Sequence, residues 1–158
     1  MTVVPTGVSQ VVLASEFEKA TSWIARRGWR AKIGGDGLTL DVHMAHPADG
    51  GELLLRGRFD GYRAIPPLWN FLDPASGNVT ADAWPAPGPV GGGSSIFHSL
   101  GVICAHFSRT GFEVQGGPHE WGGLTNWTAV DEGVHAETVA EMLSVFHTHL
   151  RHSPGRLG

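Results

Sequence analysis

Apolar and polar residues along this chain change period twice, and the changes divide it into elements. Phe17, Ala20, Trp23 and Ile24 recur at helical spacing, giving one apolar helix face. Ser15-Glu16-Phe17-Glu18 has the spacing of a capping box, with an earlier start near Ser9 as the alternative. Arg26 and Arg27 suit the negative end of the helix dipole, and Gly28 supplies a left-handed closure. After the turn Gly34-Gly35-Asp36-Gly37 the period drops to two. Leu38, Leu40, Val42 and Met44 alternate with Thr39, Asp41 and His43, which predicts a half-buried strand. His46 to Gly51 reads as a hairpin loop, with His43 and His46 solvated around it. Leu53, Leu55, Gly57 and Phe59 alternate on the next strand, and Leu68 to Leu72 is a short third one. Consecutive strands joined this way make an antiparallel meander.

From Asp73 to Ser95 the chain reads as loop, with Pro74, Pro85, Pro87 and Pro89 spaced wrongly for a ladder. Leu100 to Phe107 is an apolar run that fits either a buried strand or an extended crossing segment. A second glycine-rich stretch follows. The last helix spans about Ala136 to Arg151, with Val139, Met142, Leu143, Phe146 and Leu150 on one face. His147, His149 and His152 lie near its C-terminal end, where protonation is mildly favoured. The order is helix, three or four antiparallel strands, a long irregular middle and a helix. That is an α+β fold in one domain over residues 1–158, with the helices on one side of the sheet. Trp23, Leu40, Val42, Leu53, Leu55, Phe71, Met142 and Phe146 form the expected core.

Composition narrows the function. Charged residues are 16% of the chain, against roughly 25% in an average soluble domain. Glycine and proline, 23 and 10 of 158 residues, are abundant, and six Trp and seven Phe argue for a packed body. A net charge of -4 provides no basic field for nucleic acid. No apolar run is long enough to span a bilayer, so no membrane is expected. No export signal opens the chain, and a lone cysteine fits a reducing cytosol, so the expected location is cytoplasmic. Neither a Walker loop nor GxGxxG is present, and no cofactor is expected.

Three chemistries remain. Cys104, the single cysteine, is either a small buried hydrophobe or a reactive thiol whose pKa His98 or His106 lowers. His98, Cys104, His106, His119 and Glu120 together offer zinc-type donors, but compact ligand spacing is absent and no metal is expected. A cysteine hydrolase built on a Cys–His pair has no local signature here.

Residues 61–71 and 101–104 carry a resemblance. Gly61-Tyr62-Arg63-Ala64-Ile65-Pro66-Pro67-Leu68-Trp69-Asn70-Phe71 resembles the Tyr-Pro-x-x-Pro-Pro stretch of the ubiquitin-conjugating enzymes, with Arg63 in place of the first proline. Gly101-Val102-Ile103-Cys104 is similar to the Gly-x-Ile-Cys context of their catalytic cysteine. Trp121 or Trp127, followed by the Val139–Leu150 helix, fits the order that follows in that family. The likeness covers roughly residues 10–150. The family's His-Pro-Asn is missing: His98 precedes Cys104 by six residues without it. The family's further C-terminal helices are missing too, and the stretch after Cys104 is longer and richer in glycine. In this the chain is most similar to divergent bacterial members of the family.

The resemblance implies a four-stranded meander and a fold of the ubiquitin-conjugating type, with the cysteine on a long irregular segment. It implies that Cys104 accepts a ubiquitin-like protein from an adenylating (activating) enzyme as a thioester and passes it to a protein target. His98 would stand near the sulfur, and His119 would polarise the incoming nucleophile. Asn78 or Asn126 would replace the absent asparagine. ATP would be consumed by the partner. The competing expectation is a non-catalytic module of the same fold that holds a ubiquitin-like protein or its activating enzyme.

Overall fold

The computed structural model describes residues 4–99, 101–114, 121–130 and 133–158. Helix α1 (Thr6–Arg26) leads into β1 (Arg30–Ile33), β2 (Thr39–Ala45), β3 (Glu52–Arg58) and β4 (Leu68–Leu72). These form one antiparallel sheet in the order β1-β2-β3-β4. A loop with a single 3-10 turn at Ala81–Ala83 connects to a two-strand hairpin, β5 (Phe97–His98) and β6 (Val102–Ile103). Helix α2 (Arg109–Val114), a 3-10 helix at Leu124–Ala129 and helix α3 (Val139–Arg151) complete the chain. The architecture is α+β, with an N-terminal helix, a four-stranded antiparallel sheet and a C-terminal helix. Among the described residues, no helix is long and apolar enough to cross a membrane.

Local physics explains most boundaries. Pro5, not Ser15, opens α1, its carbonyl accepting from the Val8 and Ser9 amides. The Ser15–Glu18 pair lies mid-helix, because the apolar stripe continues N-terminally through Leu13 and the buried Ser9. Gly28 closes the helix at φ +73°, and the Trp29 amide donates to the Ile24 carbonyl. The capping box is instead at α3. The Thr138 side chain accepts from the Glu141 amide, and the Glu141 carboxylate accepts from the Thr138 amide. Strand β1 did not stand out in the sequence, because four residues are too few for alternation to show.

The strands' inward residues line up in rows. Ala31, Val42, Leu55 and Phe71 are register partners across all four strands, and Leu40, Gly57 and Trp69 form the next row. Gly57 is required there, since a Cβ would come within 2.7 Å of the Trp69 ring. Of the expected core residues, all are buried except Trp23, which is half-buried at the rim. It packs edge-on to Trp29 and His147, and the Arg27 guanidinium lies 4.9 Å from its ring centre.

Helices α1 and α3 run side by side in the same direction. Glu16 meets the start of α3, its Oε1 accepting from the Val139 amide at 3.0 Å, while Trp23 meets His147 further along. Glu16 also accepts from the Tyr62 hydroxyl at 2.7 Å and from Arg63 at 2.9 Å. One carboxylate thus ties both helices to the turn after β3. Phe146 of α3 sits among Trp69, Phe71, Phe97 and Phe107, with ring centres 5.1 to 6.4 Å away. The same ring therefore joins the sheet to the cysteine-bearing segment. We predict that Phe146→Ala lowers the urea-derived stability by about 3–5 kcal/mol, while Phe146→Leu costs clearly less. A loss for the alanine variant no larger than for the leucine variant would contradict this packing role.

Candidate active site

Cys104 directly follows β6. Its amide donates to the Ile96 carbonyl at 2.7 Å, extending the β5–β6 hairpin by one bond. Side chains alternate along such a pair. Phe97 and Ile103, which are register partners, turn inward and are buried. His98 and Val102 therefore face the other way, and Cys104, two residues beyond Val102, shares their side. His98 and Cys104 both line a groove of about 670 Å³, and Cys104 is half-buried in its wall. Its walls include Ile96, Phe97, Ala105, Val134 and the buried Trp121. No Asp, Glu, Lys or Arg lines it among the described residues.

Two histidines brace this segment. The Ala136 amide donates to His106 Nε2 at 3.0 Å, so the proton is on Nδ1, which donates to the Trp127 carbonyl at 2.6 Å. Burial first, and then the neighbouring His135, whose own pKa the Glu137 carboxylate raises, push the His106 pKa below the usual histidine range. With both nitrogens committed to backbone, His106 is not available to the thiol, which leaves His98 of the two histidines weighed for that role. His149 is the second brace. Its Nδ1 accepts from the Ile96 amide at 3.1 Å, and burial pushes its pKa down to about 4. Protonation at the helix end is therefore not favoured for His149, because desolvation outweighs the dipole. Burial likewise lowers His147.

His46, expected in solvent, is fully buried. Its Nδ1 accepts from the Ala48 amide at 3.0 Å, and its Nε2 donates to Ser153 Oγ at 3.1 Å. Burial lowers its pKa as well.

His119, Glu120 and the Gly116–Gly117 pair lie outside the described residues. Among the described residues, no three His, Cys, Asp or Glu side chains converge on a metal position. Neither asparagine proposed as an oxyanion donor lines the groove. Asn78 is exposed in the turn after β4, and the Asn126 amide donates to the Trp121 carbonyl at 2.9 Å. Three serines, Ser94, Ser95 and Ser99, supply its hydroxyls instead. Sequence reasoning passed over His149 as a site residue. Its signal was present, since it falls seven residues after Met142 and three after Phe146, on the apolar stripe of α3. No protein-family model, no curated protein and no solved structure matches this chain.

The three buried histidines make stability depend on pH. In the unfolded chain they protonate as pH falls through about 6.5. In the folded chain burial keeps them neutral to lower pH, so the unfolded state binds more protons in between. Above this window both states are neutral and the histidines add no pH dependence. Stability should therefore fall as pH drops from about 6.5 toward 4, with His149 alone contributing on the order of 3 kcal/mol. Urea unfolding at pH 7.5 and 4.5 measures this, and His149→Asn should reduce the difference. Equal stability at the two values would contradict the neutral, buried assignment.

Proposed function

We propose that the chain is a conjugating enzyme for a ubiquitin-like protein, working through a thioester on Cys104. The observation that carries this reading is the position of Cys104. It lies half-buried in the wall of a groove that no Asp, Glu, Lys or Arg lines among the described residues, on the same hairpin face as His98. The order of elements supports it further: helix, four-stranded meander, cysteine-bearing segment and helix, as in the ubiquitin-conjugating fold. The apolar walls described for the groove suit the extended, glycine-rich tail of a ubiquitin-like protein, whose backbone can approach them closely.

The chemistry proceeds by two acyl transfers. The Cys104 thiolate attacks the thioester carbonyl that links the ubiquitin-like protein to its adenylating enzyme. The tetrahedral intermediate collapses with departure of that enzyme's thiolate, leaving the acyl group on Cys104. A lysine amine of the target then attacks the new thioester, loses a proton and expels the Cys104 thiolate. His98 is the residue assigned to the sulfur side, where an imidazole favours the thiolate. His119 is assigned to the incoming amine. Groove serines and backbone amides are the donors assigned to the oxyanion in place of the family's asparagine. The partners are the adenylating enzyme, the ubiquitin-like protein and the protein target. The cytoplasm is the expected location.

The test mixes the chain with ATP, an adenylating enzyme and a ubiquitin-like protein drawn from its own gene neighbourhood. The expected product is an adduct that reductant removes. Cys104→Ser should change stability by about 1 kcal/mol or less, and yield either no adduct or a reductant-resistant oxyester. His98→Ala should slow loading on the order of 100-fold without unfolding the chain. Thiol labelling of the folded protein gives an independent readout. A Cys104 that reacts only after denaturation would end the catalytic reading and leave a module that binds a ubiquitin-like protein without chemistry.

A further inference from the structure

Cys104 and α3 are distant in sequence, yet two hydrogen bonds connect them through a single residue. The Ile96 amide donates to His149 Nδ1 at 3.1 Å, and the Ile96 carbonyl accepts from the Cys104 amide at 2.7 Å. We propose that His149 is a positioning residue for Cys104: its Nδ1 fixes Ile96, Ile96 fixes the Cys104 backbone, and α3 thereby sets where the thiol stands in the groove. The significance of that pose for transfer rests on the conjugation reading, whereas the linkage itself does not.

Three observations support the assignment. His149 is only 2% exposed, in a position on the apolar stripe of α3 where a leucine would fill space without desolvating an imidazole. What the imidazole adds is an acceptor for a backbone amide in a region with almost no ladder. The ring is itself held in place, with Phe97 packed edge-on at 6.2 Å between ring centres. Finally, its tautomer is defined: accepting from Ile96 places the proton on Nε2, and burial keeps the ring neutral so that Nδ1 retains its lone pair. Among the described residues, the titratable groups around it are His152 at the end of α3 and Cys104, His98 and His106 on the groove walls. His106, two residues after Cys104, bonds backbone as well, so the Cys104 segment is tied at two points by imidazoles.

The test uses the whole chain, labelled with nitrogen-15, at pH 7.5. Two quantities are read: amide exchange protection at Ile96 and Cys104, and the rate of Cys104 alkylation by iodoacetamide. His149→Phe keeps a buried ring but removes the acceptor. It should lower protection at both amides by about tenfold and change the alkylation rate by a similar factor. His149→Asn places an amide oxygen where Nδ1 stood and should stay within about twofold of the native chain. His46→Phe removes another buried histidine, one bonded to the β2–β3 loop rather than the groove. It should lower stability while leaving both readouts unchanged.

Native values in His149→Phe, or equal effects from His46→Phe, would overturn the proposal. If His149→Phe does not fold, the native chain decides. Its Ile96 and Cys104 amide resonances should move together as the His149 ring titrates, near pH 4. Resonances that stand still while the ring titrates would overturn it. The two readings fail separately. Absence of the thioester with these results intact removes only the conjugation reading. A thioester with native labelling in His149→Phe removes only the role of His149.

Discussion

The packing of Phe146 is the contact on which the rest of this protein depends. Its ring touches Trp69 and Phe71 of the sheet on one side and Phe97 and Phe107 of the cysteine segment on the other. A four-stranded sheet with one apolar face must cover that face, and α1 alone is too narrow to do so. Helix α3 completes the cover, and in doing so it brings the β5–β6 hairpin against the sheet. The hairpin has only two register pairs of its own, too little to stand alone in water. Its place is set by the aromatic rings beneath it. Six of the thirteen Trp and Phe residues in the chain belong to this cluster, which includes Trp84 against Phe71.

Past the sheet, the chain meets a different constraint. The described residues between β4 and α3 have little regular structure, yet many of them are buried, so their backbone amides and carbonyls need partners outside any ladder. Neutral imidazoles supply them. His106 and His149 each accept a backbone amide of that segment through one nitrogen, and His46 does the same in the β2–β3 loop. His46 and His106 also donate through the other, to a serine hydroxyl and a carbonyl. A histidine suits this task because the neutral ring is at once flat, apolar in body and able to accept on one edge while donating on the other. The chemistry that positions the groove walls is thus the same chemistry that makes the fold sensitive to acid. The thiol lies within this lattice of side-chain-to-backbone bonds, which explains how a loop-rich region can present a cysteine in one place.

What the sequence by itself determined is local. The alternation from Leu38 to Met44 announced β2, the stripe from Val139 to Leu150 announced α3, and Gly28 announced the end of α1. In each case the signal is a period or a backbone preference carried by neighbouring residues. The short motif around Cys104 likewise marked it as a candidate. Tertiary structure decided the rest. Ser15 and Glu18 have the spacing of a cap but lie mid-helix, since the extent of the buried stripe, not the capping pair, set where α1 begins. His46 looks like a surface histidine in sequence, because burial depends on what another part of the chain lays over it. His106 is nearer to Cys104 in sequence than His98, two residues away against six. Strand alternation puts His98 on the thiol's side, while the bonds to Trp127 and Ala136 turn His106 to the backbone. Which neighbour a side chain faces is a property of the folded backbone, and no count of residues between two positions contains it.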